Sequence, residues 1–137
     1  MTTAAMSRPA TFAAVVSRIV SEGEDARLLR LELPEGAAFA WRPGQFVSVS
    51  LPGSDLAPKH YSIANPPQDP GAVEILFERR GPLAEALFRL QGGETVEVSA
   101  PVGKWTYRDE DRRAALVSGG TGVTPLRAII RYALEKG

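Results

Sequence analysis

Apolar and polar residues alternate with a period of two over much of the chain, and each alternating run stops at glycine or proline. A period of two marks a strand with one buried face, because successive side chains point to opposite sides of the backbone. Phe12 to Val20 and Ala26 to Leu33 are two such runs, joined by Glu22-Gly23-Glu24-Asp25, with Leu29, Leu31 and Leu33 set against Arg30 and Glu32. Together they predict a hairpin. Gln45 to Leu51 alternates Phe46, Ser48 and Ser50 with Val47, Val49 and Leu51 and halts at Pro52-Gly53. His60 to Ala64, Val73 to Glu78 and Glu94 to Ser99 complete six predicted strands. Short strands with corners this frequent are the punctuation of a barrel or sandwich.

The period changes in two places. Leu83, Leu87 and Leu90 recur at spacings of four and three, which predicts one short helix ending at Gly92-Gly93. After the charged connector Arg108 to Arg113, Ala114 to Val117 is continuously apolar, as in a strand buried on both faces, and leads through a glycine turn into a helical segment, Pro125 to Glu135. The expected organisation is a flexible tail (1–10), a β-domain (11–107), a linker (108–113) and one βα element (114–137). A βαβ nucleotide-binding unit needs about 30 residues or more before its second strand returns. Ala114 to Gly137 therefore reads as the opening of a truncated α/β domain.

Composition narrows the chemistry. Sixteen Lys plus Arg balance sixteen Asp plus Glu in the 137 residues, so no summed field attracts nucleic acid or an anionic membrane. Aromatics at 7% also argue against a single-strand-binding barrel. There is no cysteine, which excludes disulfides, iron–sulfur ligation and a thiol nucleophile; His60 is the only histidine, and no metal site is expected. No apolar run reaches the ~18–20 residues of a membrane span, and Met1 to Ala10 lacks the apolar core of a signal peptide. The expected location is the cytoplasm, and any redox chemistry must come from a bound organic cofactor.

Three stretches could present backbone N–H groups or compact polar side chains to a phosphate or a flat heterocycle. In Lys59-His60-Tyr61-Ser62, Lys59 and Tyr61 share a strand face, so a cation and an aromatic plate could meet one ligand. In Arg79-Arg80-Gly81-Pro82-Leu83-Ala84, Pro82 suits the first helical position and Gly81 allows close approach of an anion to free N–H groups. Ser118-Gly119-Gly120-Thr121-Gly122-Val123-Thr124-Pro125 is a glycine turn between strand and helix, permitting left-handed dihedrals and close phosphate approach, although it departs from G-x-G-x-x-G. Singly, each is as well explained by ordinary strand, corner and loop chemistry.

In order and spacing, these segments resemble the ferredoxin–NADP reductase superfamily, including its cytochrome b5 reductase and dihydroorotate dehydrogenase electron-transfer relatives. Arg42-Pro43-Gly44-Gln45-Phe46 looks like the family's P-G-Q-[FY] strand entry, and Lys59-His60-Tyr61-Ser62 resembles its R-x-Y-S flavin motif. Ala100-Pro101-Val102-Gly103-Lys104-Trp105 is similar to its G-P-x-G-x-F turn, and Gly119 to Pro125 to its G-G-T-G-x-[AT]-P pyridine-nucleotide loop. The resemblance implies a six-stranded antiparallel Greek-key β-barrel that binds FAD rather than FMN, followed by the start of an NAD(P)-binding domain. It implies that Tyr61 stacks on the isoalloxazine, that Ser62 hydrogen-bonds near flavin N5, and that Lys59 and His60, with Gly81, Pro82, Leu83 and Ala84, hold the cofactor. Gly119, Gly120, Thr121, Gly122, Thr124 and Pro125 would meet the nicotinamide nucleotide. Lys59 stands where the family has arginine, and Ala84 where it offers a hydroxyl. The implied function is an NAD(P)H-dependent flavin oxidoreductase passing electrons to an acceptor such as an iron–sulfur or haem protein or subunit. The alternative is a flavin-free barrel serving as a binding or assembly module.

Overall fold

The structure, a computed structural model, describes residues 10–137; the expected tail lies, apart from Ala10, outside the described residues. Strands β1 (Thr11–Ser21), β2 (Ala26–Glu32), β3 (Phe46–Ser50), β4 (Lys59–Ser62), β5 (Ala72–Glu78) and β6 (Thr95–Ser99) form one antiparallel sheet. Its order, β4-β3-β6-β1-β2-β5, inserts β6 between β3 and β1, which is a Greek-key path. The predicted hairpin is the β1–β2 pair, which carries a register shift between Val16 and Arg18. A bulge there adds twist to a strand that pairs on both sides and so helps the sheet curl.

Closure occurs between the two edge strands. Ala64 N–H donates to the Glu74 carbonyl at 2.8 Å, just past the end of β4. Asn65 then takes the place of a further strand residue, its Oδ1 accepting from Glu74 N–H at 2.8 Å and its Nδ2 donating to the Ala72 carbonyl at 2.8 Å. The alternating apolar residues meet inside: Val16, Leu29, Leu31, Val47, Val49, Ile75, Phe77, Val96 and Val98 are buried in one cluster. Burying each such aliphatic or aromatic side chain contributes about 1.5–3 kcal/mol.

The short helix α1 (Pro82–Phe88) caps one end of the barrel with Leu83, Ala84 and Leu87 buried. It ends before Gly92-Gly93; Gly93, at φ 91, serves instead as the turn into β6. Gly44, at φ 107, is the corner of the Pro43-Gly44-Gln45-Phe46 entry to β3. A β-carbon there would collide with the Trp105 carbonyl, so the β3 entry and the loop after β6 pack backbone to backbone.

One expected strand is absent. Ala114 to Val117 pairs with nothing and is exposed, Val117 to 90%, so the reading of a strand buried on both faces is corrected. An apolar run becomes a buried parallel strand only with neighbours to bond to and helices to cover it, and none of the six strands pairs with this segment. The helix that follows does form. α2 (Val123–Lys136) starts two residues earlier than the expected Pro125, after a 3₁₀ turn at Gly120–Gly122.

Candidate functional site

Of the expected cofactor residues, those of Lys59 to Ser62 and of the glycine turn converge on one side of the barrel, where the turn lies opposite β4 and β5, whereas Gly81 to Ala84 do not line that space. An open cleft of about 430 Å³ is lined by Lys59, His60 and Tyr61 of β4, by Leu76, Phe77 and Glu78 of β5, by Arg80, and by Gly119 and Thr121 from the turn. A contiguous hollow of about 270 Å³ shares His60, Tyr61, Leu76 and Thr121 and adds Ser62, Gly122, Thr124 and Pro125. Sequence motifs separated by some sixty residues thus face one space. The contribution of β5 was not foreseen: its run reads as a core strand, and only closure of the barrel turns Leu76 and Glu78 to the cleft.

β4 is short because Pro58 precedes it and pairing with β3 ends at the Phe46–Ser62 position. Lys59 is exposed, and its ammonium donates to the Arg80 carbonyl at 3.1 Å, which places the charge at the entry to α1. His60 lies against the Phe46 ring, with centroids 5.0 Å apart. Tyr61 is half-buried and meets Phe77 edge-on at 6.1 Å. Its hydroxyl is buried without a hydrogen-bond partner, and burial pushes its pKa above the usual phenol value. A buried hydroxyl with no partner costs about 1–3 kcal/mol.

Gly81 is the N-cap of α1 at φ 87 and ψ 166, a backbone conformation suited to glycine, and a β-carbon there would come within 3.4 Å of the Lys59 ammonium. The first helical bond within α1 runs from Glu85 N–H to the Gly81 carbonyl at 3.0 Å, and no side chain caps the helix. The N–H groups of Leu83 and Ala84 precede that bond and have no helical acceptor. Their side chains, by contrast, belong to the core. Pro82 and Leu83 join Lys59, Leu56 and Pro58 around a separate, mostly apolar hollow.

The glycine turn departs from expectation in its dihedrals. Gly119 is extended (φ −139, ψ 137) and Gly122 helical (φ −58, ψ −15), so neither uses the left-handed region. What the missing side chains leave is room, since a β-carbon at either position would meet nothing within 4 Å. Thr124 is buried and its hydroxyl donates to the Thr121 carbonyl at 2.7 Å, locking the turn onto the start of α2. Among the described residues, no group of three potential metal ligands comes together, and no helix is long and apolar enough to cross a membrane.

Comparison with known proteins gives a consistent result. A family model described as the oxidoreductase FAD-binding domain matches residues 13–107. The chain is 34% identical over 119 residues to the gamma subunit of sulfhydrogenase 1 from Pyrococcus furiosus, covering 85% of this chain and 40% of that one. It is 37% identical over 117 residues to ferredoxin–NADP reductase B from Sorangium cellulosum, covering 81% of this chain and 47% of that one. Among solved structures, an Amycolatopsis cytochrome P450 reductase superposes with a TM-score of 0.81 at 32% identity, covering 93% of this chain and 40% of that one. The chain spans less than half the length of each of these three relatives.

Proposed function

The chain belongs to the oxidoreductase FAD-binding domain family, and from that premise we propose that it holds FAD in the cleft between β4, β5 and the glycine turn and serves electron transfer from NAD(P)H to a protein acceptor. The observation that carries the reading is that Lys59, His60 and Tyr61 of β4 meet Gly119 and Thr121 of the glycine turn around one open cleft, with free space at Gly119 and Gly122.

When bound, the flavin supplies the two-electron chemistry that no side chain here can perform. The chain's own residues bind and orient it. The Tyr61 ring offers a stacking plate for a flat tricycle, and its hydroxyl, enclosed in the structure, would gain the hydrogen bond it lacks by turning toward the ligand. The Ser62 hydroxyl can donate to, or accept from, a ring-edge heteroatom. The Lys59 ammonium, together with the Leu83 and Ala84 N–H groups, suits a diphosphate at the start of α1, and the absence of a hydroxyl at Ala84 leaves that work to charge and backbone. Gly119 to Pro125 would admit the nicotinamide end of NAD(P)H over the same floor. The acceptor class follows the relatives, which include ferredoxin reductases and the reductase component of a terephthalate dioxygenase.

Titration of the purified chain with FAD and with FMN, followed by visible absorbance after dialysis, tests the reading. FAD is expected to be retained and FMN held more weakly. A chain that stays colourless with excess FAD would overturn it and leave the flavin-free assembly module. Tyr61→Phe sharpens the test because its two effects have opposite signs. Without flavin, removing a buried unpartnered hydroxyl should leave the denaturation midpoint unchanged or raised. With FAD, losing one hydrogen bond should weaken binding by about fivefold, equivalent to ~1 kcal/mol.

A further inference from the structure

A charge cluster around one buried carboxylate lies outside the lining of the cleft. The Glu74 carboxylate is only 5% exposed and faces three arginines: Arg127 Nη1 at 3.1 Å, Arg30 Nη1 at 3.6 Å and Arg131 Nη1 at 3.7 Å. Arg30 also grips Asp69 through two hydrogen bonds of 2.8 and 2.9 Å, which hold the Asp69 carboxyl below its usual range. Glu74 belongs to β5 and Asp69 to the β4–β5 connection, whereas Arg127 and Arg131 belong to α2. A carboxylate this deep is tolerated only when its charge is matched, and here the match comes mainly from the helix that follows the glycine turn.

Arg127 makes one further bond. Its Nη1 donates to the Ala64 carbonyl at 2.8 Å. Ala64 lies two residues past Ser62 on the floor of the cleft, and Arg127 lies three residues past Thr124, which is itself bonded back to Thr121. One guanidinium therefore joins the end of the floor strand to the helix carrying the opposite wall. Gln68 adds a weaker tie, its Nε2 donating to the Tyr132 carbonyl at 3.1 Å.

We propose that Arg127 is a positioning residue, which by bridging the Ala64 carbonyl and buried Glu74 sets the height of the glycine turn above Tyr61 and Ser62, and with it the gap a nicotinamide ring must enter. The inference rests on the proposed flavin site, since the gap has this use only if a flavin lies on its floor. A guanidinium suits the role: both bonds leave Nη1, whose two N–H groups are fixed in the guanidinium plane, whereas the donors of an ammonium rotate freely.

Substitution at Arg127 leaves Glu74 with Arg30 and Arg131, so the barrel keeps its buried charge matched. Arg127→Met and Arg127→Lys are compared with the parent chain, with and without FAD, by residue-resolved amide hydrogen exchange. In Arg127→Met, exchange at Gly122 and Val123, whose N–H groups bond within the turn, is expected to rise by about tenfold or more, while the core amides of Val49, Ile75 and Val98 keep their rates. Arg127→Lys, which keeps the charge but not the fixed in-plane directions of the Nη1 donors, should fall between Arg127→Met and the parent. FAD affinity should change by less than about threefold, because Arg127 meets the floor strand only at Ala64, two residues beyond Ser62, and does not line the cleft. Turn exchange within twofold of the parent would overturn the proposal, as would an equal rise throughout the barrel, which would signify general stability alone. The outcomes separate from those of the flavin reading. A parent chain that takes no FAD refutes that reading, while the exchange comparison on the flavin-free chain still decides whether Arg127 holds the turn.

Discussion

Replacing Asn65 by alanine is expected to lower the unfolding free energy by about 3–5 kcal/mol, read as a fall in the denaturant midpoint with little change in slope. Asn65 is fully buried, and its amide satisfies three backbone groups: it accepts from Glu74 N–H and donates to the Ala72 and Asp69 carbonyls, the last at 3.1 Å. Alanine would strand the Glu74 N–H and the Ala72 carbonyl in the seam where β4 and β5 close the barrel. Each buried orphan costs about 1–3 kcal/mol, and the removed side chain also leaves a small void. No other polar side chain is as completely enclosed among the described residues. A loss under about 1 kcal/mol would mean that water enters the seam and replaces the amide, and that Asn65 does not substitute for strand pairing.

Reversing the charge at Lys59 is expected to have the largest effect on the cofactor. Lys59→Glu should weaken FAD binding by about a hundredfold or more at low ionic strength, with stability changed by no more than about 0.5 kcal/mol because the side chain is exposed. The ammonium sits beside the Arg80 carbonyl at the entry to α1, where a diphosphate would lie. One favourable charge pair at about 4 Å is worth ~1 kcal/mol in bulk water and ~4 kcal/mol near a protein surface, and reversal turns that attraction into repulsion. The loss should shrink as salt is added, since the exposed site is screened. Lys59→Arg should act in the opposite direction and tighten FAD, because a guanidinium bonds phosphate through two parallel N–H groups. Equal FAD affinity in Lys59→Glu and the parent would remove Lys59 from the site.

Most of the barrel could be read from residues along the chain. Leu29 and Leu31 alternate with Arg30 and Glu32 because a strand can bury only one face, and both leucines are in the core. The hairpin at Gly23, the six strands and the short helix beginning at Pro82 likewise follow from local periodicity and turn chemistry. Local pattern failed at Ala114 to Val117, where apolar character alone suggested a buried strand and the segment is exposed. It also misjudged Gly119 and Gly122, whose value lies in the space they leave rather than in left-handed dihedrals.

The candidate site was legible in part for the same reason. Lys59, Tyr61, Ser62 and the glycine turn are short-range motifs, recognisable from residues that are neighbours in sequence. Leu76 and Glu78 were not, because which face of β5 meets the cleft depends on how the sheet curls. Glu74 was the least legible, since among alternating strand residues it looks like a solvated charge.

By itself, then, the sequence determined the elements, their corners and the motifs, because these depend on steric and hydrophobic preferences acting over a few residues. Tertiary structure alone decided that β4 and β5 close through Asn65, that Tyr61 keeps an unpartnered hydroxyl, and that Arg127 reaches back across 63 positions to the Ala64 carbonyl. Those features depend on which distant groups lose water together, and burial is a property of the assembled barrel rather than of any segment of the chain.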